Sequence, residues 1–240
     1  MPFFTNTWLV LEAREEDISI PYSPKRTLNP LLERRIKAAE QLVPKERLLL
    51  MLTDHSCAYV GSECRNIAPN NILIHPSQCG NAVPFANCLL EIRRLKPNFC
   101  VIFIPSGNAY YPIPELHFAL QVAFHSLGND RAKVFLIQSL LQRESNALVV
   151  GSVPALLALY MASAPQFLKP LKKRAEIGKL KSLDGKEKLD LPKGDLYEDV
   201  LSVNQVFLRR LPISSSVIPG PIHRAGMLGP SERLMQPTFH

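Results

Sequence analysis

The sequence predicts a doubly wound, mainly parallel α/β sheet, and three observations lead to that class. Apolar runs of strand length alternate with helix-period segments from the first residues onward. The connections between those runs are too long for hairpins, so neighbouring strands should cross over and run parallel. Finally, Phe99–Asn108, FCVIFIPSGN, is a run of apolar and β-branched residues that ends in proline and small polar residues. A central parallel strand delivers a site at its carboxyl edge in this way.

Taken in order, Trp8–Leu11 reads as a short first strand, and Pro21–Pro30 is a loop with three prolines. Leu31, Leu32, Ile36, Ala39 and Leu42 then fall at helical spacing, and Pro44 stops that helix. Arg47–Thr53 is an apolar run of strand length ending in Asp54-His55, and Asn71–His75 is another short strand. Helix signals resume over Ala82–Leu95, with Pro97 and Asn98 as the break before the strand at Phe99. A helix follows at Pro114–Leu127, closed by Gly128-Asn129. Lys133–Gln138 and Ala147–Val150 are strand candidates, and Val153–Ala164 and Gln166–Lys173 read as helical. Asp195–Val203 reads as helical and Val206–Leu211 as a last strand. The expected organisation is an α/β core over 1–168, a basic irregular segment over 169–194, and C-terminal elements over 195–240 that return to the core.

Composition narrows the function classes. A chain of 240 residues with 46% hydrophobic and 20% charged residues can bury one sizeable core. The N-terminus has no basic region ahead of its apolar run, so it reads as a strand and not as a signal peptide. No apolar run has the length a membrane span needs, and a cytoplasmic protein without membrane partners is expected. The five cysteines are odd in number and lack C-x-x-C spacing, which points to free thiols in a reducing compartment. Of the +7 net charge, +5 sits between Lys169 and Lys193, with nine Lys/Arg against four Asp/Glu. Few aromatics accompany those charges, so a solvated surface is expected there and a nucleic-acid groove is poorly supported.

Several segments, in colinear order, resemble the sugar-1-phosphate nucleotidyltransferases, most closely the mannose-1-phosphate guanylyltransferases. PLLERRIKAAEQLVPKERLLLMLTDH (Pro30–His55) is similar to the family's leucine-rich first helix, its turn, and the strand ending in Asp-His. ILIHPSQCGNA (Ile72–Ala82) resembles the strand, proline and Gly-Thr-Ala turn near the base and sugar. FCVIFIPSGN resembles the strand ending Pro-Ser-Asp-His. SNALVVGSVPALLALYMASAPQFL (Ser145–Leu168) resembles the Asn-containing strand and its helix. LYEDVL, FLRRLPI and LGPSERLM resemble the terminal elements. The resemblance implies a nucleotidyltransferase-like (Rossmann-like) fold. It also implies an activity that joins a nucleoside triphosphate to a sugar 1-phosphate. That activity needs a glycine loop on the phosphates, a basic side chain there, and carboxylates for Mg²⁺.

This sequence departs from the family at those parts. Where the glycine loop belongs, it has Glu12-Ala13-Arg14-Glu15-Glu16-Asp17, whose carboxylates would repel a pyrophosphate. Gly107 stands for the expected metal-binding Asp and Asn108 for the His after it. Met227 stands for the second expected Asp, ahead of Leu228-Gly229. A glycine offers no ligand, and a thioether is a poor one for a hard cation. The Glu-Lys-Pro segment has no counterpart. A link of only Ser139–Ser145 joins two strands, so the sugar-binding lobe is expected to be reduced. Lys25, in Pro24-Lys25, is either the family's phosphate-contacting lysine or a surface lysine in a proline loop.

The resemblance therefore implies a degenerate member without turnover, no metal site and no cofactor, with Mg²⁺ required only if the chain is active. Candidate ligand-binding residues are Gly80, Asn81, Ala82, Pro105, Ser106 and Asn146, at or near the carboxyl edge of the sheet. A nucleotide or nucleotide sugar, an active paralogue and a second copy of the chain are the candidate partners. An active nucleotidyltransferase and a ligand-free scaffold are the alternatives. Ser106 lacks the first glycine of a nucleophile elbow. His55 and His75 end neighbouring strands and face either one pocket or satisfied local partners. His117 and His125 lie two helical turns apart, too far for a shared metal.

Overall fold

The computed structural model describes residues 4–14, 30–57, 67–75, 77, 80–106, 108–109, 114–138, 147–165, 168–169, 171–172, 203, 217–219 and 223–224. The strands among these are β1 (Thr7–Ala13), β2 (Leu48–Thr53), β3 (Ile72–His75), β4 (Cys100–Ile104), β5 (Asn108–Ala109), β6 (Val134–Gln138), β7 (Leu148–Ser152), β8 (Val217–Pro219) and β9 (His223–Arg224). Seven of them form one sheet in the order β3-β2-β1-β4-β7-β6-β8. β5 and β9 pair separately as a two-stranded antiparallel ladder.

The chain enters at β1 in the middle of the sheet, steps outward to β2 and β3, then returns to β4 on the other side of β1. β1, β2, β3 and β4 are mutually parallel, which makes the β1/β4 boundary a topological switch point. β7 is antiparallel to both β4 and β6, so the sheet is mainly and not wholly parallel. The expected α/β, doubly wound architecture is therefore the one found.

The helices are α1 (Pro30–Leu42), the single turn α2 (Asp54–Cys57), α3 (Ala82–Leu95), α4 (Pro114–Asn129) and α5 (Val153–Ser163). They cover both faces because strands buried on both sides must alternate their side chains between two cores. Leu9, Leu11, Leu50, Ile102 and Val150 face a core shared with Leu32, Ile36 and Ala39 of α1 and Leu120 and Ala123 of α4. Trp8, Val10, Met51, Val101, Phe103 and Val149 face the other core. They meet Phe85 and Leu89 of α3 and Leu156 and Tyr160 of α5. Phe85 and Phe103 pack with ring centroids 4.4 Å apart. The Tyr160 hydroxyl donates to the Ala82 carbonyl at 2.8 Å, tying α5 to the first turn of α3. Cys88 and Cys100 are free, buried thiols, and burial pushes both up from the usual range. No described helix is long and apolar enough to cross a membrane.

Several boundaries differ from the sequence reading. β1 continues through Glu12 and Ala13 instead of ending at Leu11, because both remain paired with β2 opposite Met51 and Leu52. Asn71 belongs to a 3-10 turn (Pro69–Asn71) ahead of β3, with its side-chain amide donating to the Glu46 carbonyl. α4 includes Gly128 and Asn129 in its last turn. The strand expected at Val206–Leu211 lies outside the described residues, and so does Asp195–Val203 apart from Val203 itself.

Candidate functional site

Because β1 to β4 run parallel, their carboxyl ends line one edge, with Ala13 beside Leu52, Thr53 beside His75 and Leu11 beside Ile104. Pleating sends Trp8, Val10 and Glu12 to the face covered by α3 and α5. Glu12 is thus a carboxylate carried inward by an otherwise apolar strand, with 1% of its surface exposed. An inward carboxylate must find donors, since an uncompensated buried charge is prohibitive.

It finds three. Glu12 Oε2 accepts from the Asn81 side-chain amide at 2.8 Å and from the Ser106 backbone N–H at 3.1 Å. Glu12 Oε1 accepts from Arg14 Nε at 2.6 Å. Ser106 is the first residue after β4 able to donate a backbone N–H, because Pro105 has none. The Pro105 carbonyl accepts from Arg35 Nη2 at 2.9 Å, and Arg35 reaches it from α1 on the opposite face with 2% exposure. The end of β4 is therefore held from both sides of the sheet. Asn81, at the start of α3, also accepts the Val203 N–H on its Oδ1 at 2.8 Å, bringing a C-terminal residue to the same place.

The sequence reading placed Glu12 among loop carboxylates that would face a phosphate directly. The structure corrects this. Glu12 is a strand residue, and its charge is turned into the protein, where it spans the β1/β4 switch point. A charged residue inside TWLVLEA was the signal available from sequence, since such a residue must carry its own buried partners.

The other half of the edge is built from local turns. The Thr53 hydroxyl donates to Ser56 Oγ at 2.7 Å and accepts the Ser56 N–H. Asp54 Oδ1 accepts the N–H groups of His55 and Ser77, both at 2.9 Å. Burial raises the Asp54 carboxyl, but the two backbone donors, the Ser77 side chain and the nearby His55 together outweigh it and hold the group below its ordinary value. His55 is exposed and His75 is fully buried.

Among the predicted ligand residues, Asn81 and Ser106 meet on one Glu12 oxygen, and Gly80, Ala82 and Pro105 flank them in sequence. Lys25, Asn146, Gly107 and Met227 lie outside the described residues, as do Glu15, Glu16 and Asp17. The backbone of Asn108–Ala109 pairs with His223–Arg224, so the chain after β4 and the chain ahead of Met227 are neighbours. Among the described residues, no group of three His, Cys, Asp or Glu side chains could hold a metal ion.

No protein-family model matches the sequence, and no curated protein matches it. Among solved structures, the fold is similar to that of a Thermus thermophilus protein described as a mannose-1-phosphate geranyltransferase. The TM-score is 0.61 at 13% identity, covering 91% of this chain and 76% of that one. A cytidylyltransferase from Leptospira borgpetersenii gives a TM-score of 0.41 at 12% identity, covering 73% of each chain. The first likeness, at so low an identity, establishes the fold alone, and that fold is nucleotidyltransferase-like.

Proposed function

We propose that this chain is a degenerate, non-catalytic protein on a mannose-1-phosphate guanylyltransferase-like frame, working in the cytoplasm by binding and not by turnover. The observation that supports this most is Glu12 at the switch point. Transfer from a nucleoside triphosphate needs N–H donors and metal where the phosphates lie. Here a buried carboxylate already takes the Ser106 N–H and the Asn81 amide. The absence of glycine between Glu12 and Asp17, and of carboxylates at 107 and 227, supports the same reading.

The role left to such a frame is contact with another protein, an active paralogue being the partner class. Phe118, 67% exposed on α4, and Val122 one turn further on give that helix an outward apolar patch that supports pairing. A second reading, metal-independent binding of a nucleotide or nucleotide sugar, rests on the convergence of Asn81 and Ser106 at one edge. Thermal unfolding with GTP and GDP-mannose, with and without Mg²⁺, separates these readings. No shift is expected. A shift that requires Mg²⁺ contradicts the proposal, and a shift without Mg²⁺ selects the second reading.

A further inference from the structure

We propose that Glu12 is the tethered occupant of an anion site, and that the donors around it bind a free carboxylate or phosphate once its side chain is removed. These donors come from three places in the chain: Ser106 N–H after β4 at 3.1 Å, Asn81 Nδ2 at the start of α3 at 2.8 Å, and Arg14 Nε beyond β1 at 2.6 Å. Charge-assisted donors converging on one carboxylate from separate elements are what an anion site consists of.

Two of the donors are fixed by contacts that do not involve Glu12. The Asn81 Oδ1 accepts the Val203 N–H, so the amide's other end, the NH₂, must face β1. The Ser106 N–H belongs to the peptide group whose carbonyl, that of Pro105, is gripped by Arg35 from the other face. Deleting the carboxylate therefore leaves the donors in place and without that acceptor, a state that a small anion relieves. In the native chain the tether gives Glu12 an effective concentration that free anions do not match, so the site stays closed to them. This inference stands on hydrogen bonds alone and holds whether or not the chain transfers nucleotides.

The test is thermal unfolding of E12A and of the native protein in sodium formate, acetate, phosphate or chloride at matched ionic strength. Formate fits the space of the deleted carboxylate. At about ten times its dissociation constant it should raise the Tm of E12A by roughly 3 °C over chloride. The native protein supplies the baseline for each salt, because phosphate stabilises folded proteins without occupying a site, and the response of E12A is read as the excess over that baseline. The larger of the formate and phosphate responses tells whether the site prefers a carboxylate or a phosphoryl group. Adding N81A to E12A should remove the response. An E12A protein indifferent to formate, or a native protein that responds as strongly, overturns the proposal. Should E12A fail to fold in chloride, its refolding yield from urea decides: recovery in formate supports the site, and no recovery in either salt contradicts it.

Discussion

Glu12 interrupts a strand whose neighbours are apolar, and its burial is tolerated only because Asn81, Ser106 and Arg14 meet its two oxygens. E12A should therefore cost about 2–4 kcal/mol of unfolding free energy, because it takes an acceptor from buried donors as well as deleting an ion. E12Q keeps the shape and one acceptor oxygen but turns an NH₂ toward those donors, and should cost about 1–2 kcal/mol. Urea unfolding of both variants checks the order. Asp54 gives a pH prediction of known sign. Desolvation pushes its carboxyl up, but hydrogen bonds from Ser77 and His55, together with the His55 charge, prevail and hold it below the ordinary value in the folded state. The stability it contributes is fully present above the unfolded aspartate pKa, near 4, and is lost as pH falls through the lower folded value. D54N should flatten the acid limb of a stability-against-pH curve and leave the curve near pH 7 parallel to the native one. An unchanged acid limb would show that the Ser77 and His55 contacts carry no such linkage. Glu12 and Arg35 were the hardest residues to read from sequence. Arg35 meets Pro105 70 positions on, and besides the nearby Arg14, Glu12 meets Asn81 and Ser106 69 and 94 positions on; nothing local reveals such distant partners.

The strands and helices were legible because their periods are strong and their neighbours punctuate them. Arg47–Thr53 and Phe99–Pro105 have the length and apolar content of buried strands, and prolines or capping residues separate them from helices. Their ends were less legible, since an end is set by where the neighbouring strand stops offering partners. β1 extends to Ala13 because β2 still pairs there, which no property of Glu12 or Ala13 announces. α5 shows an end that is encoded locally. Ser152 caps it by accepting the Ala155 N–H at 3.3 Å, and its hydroxyl donates to the Arg131 carbonyl at 2.7 Å. S152A should cost about 1–2 kcal/mol, measured by urea unfolding, because it removes the cap and that second bond together. The residue before it, Gly151, admits no side chain freely. A Cβ there would stand 3.1 Å from Val134 Cγ2 and 3.2 Å from Leu156 Cγ, so β6 and α5 both close on β7 at that point.

For the whole molecule, alternation of strand and helix was enough to predict winding in both directions from a central strand. The sheet order β3-β2-β1-β4 is that winding. The antiparallel setting of β7 was not readable, because strand direction depends on the path of the connection and not on the strand's own residues. Of the expected basic segment only Lys169, Leu171 and Lys172 are described, with Leu171 buried in the core, and most of the C-terminal elements lie outside the described residues. Val203 and the β5–β9 ladder still show that the C-terminal quarter reaches both Asn81 and the chain after β4. At the β1/β4 switch point, Glu12 of β1 joins Ser106 after β4 and Asn81 at the start of α3, and Asn81 in turn holds Val203. The most direct test is a transfer assay with purified protein, GTP and mannose 1-phosphate, in Mg²⁺ or Mn²⁺, reading GDP-mannose and pyrophosphate together. No product above a protein-free control is predicted, because glycine loop and metal carboxylates together supply most of the electrostatic stabilisation of such a transfer. Steady formation of both products, abolished by EDTA, would contradict it.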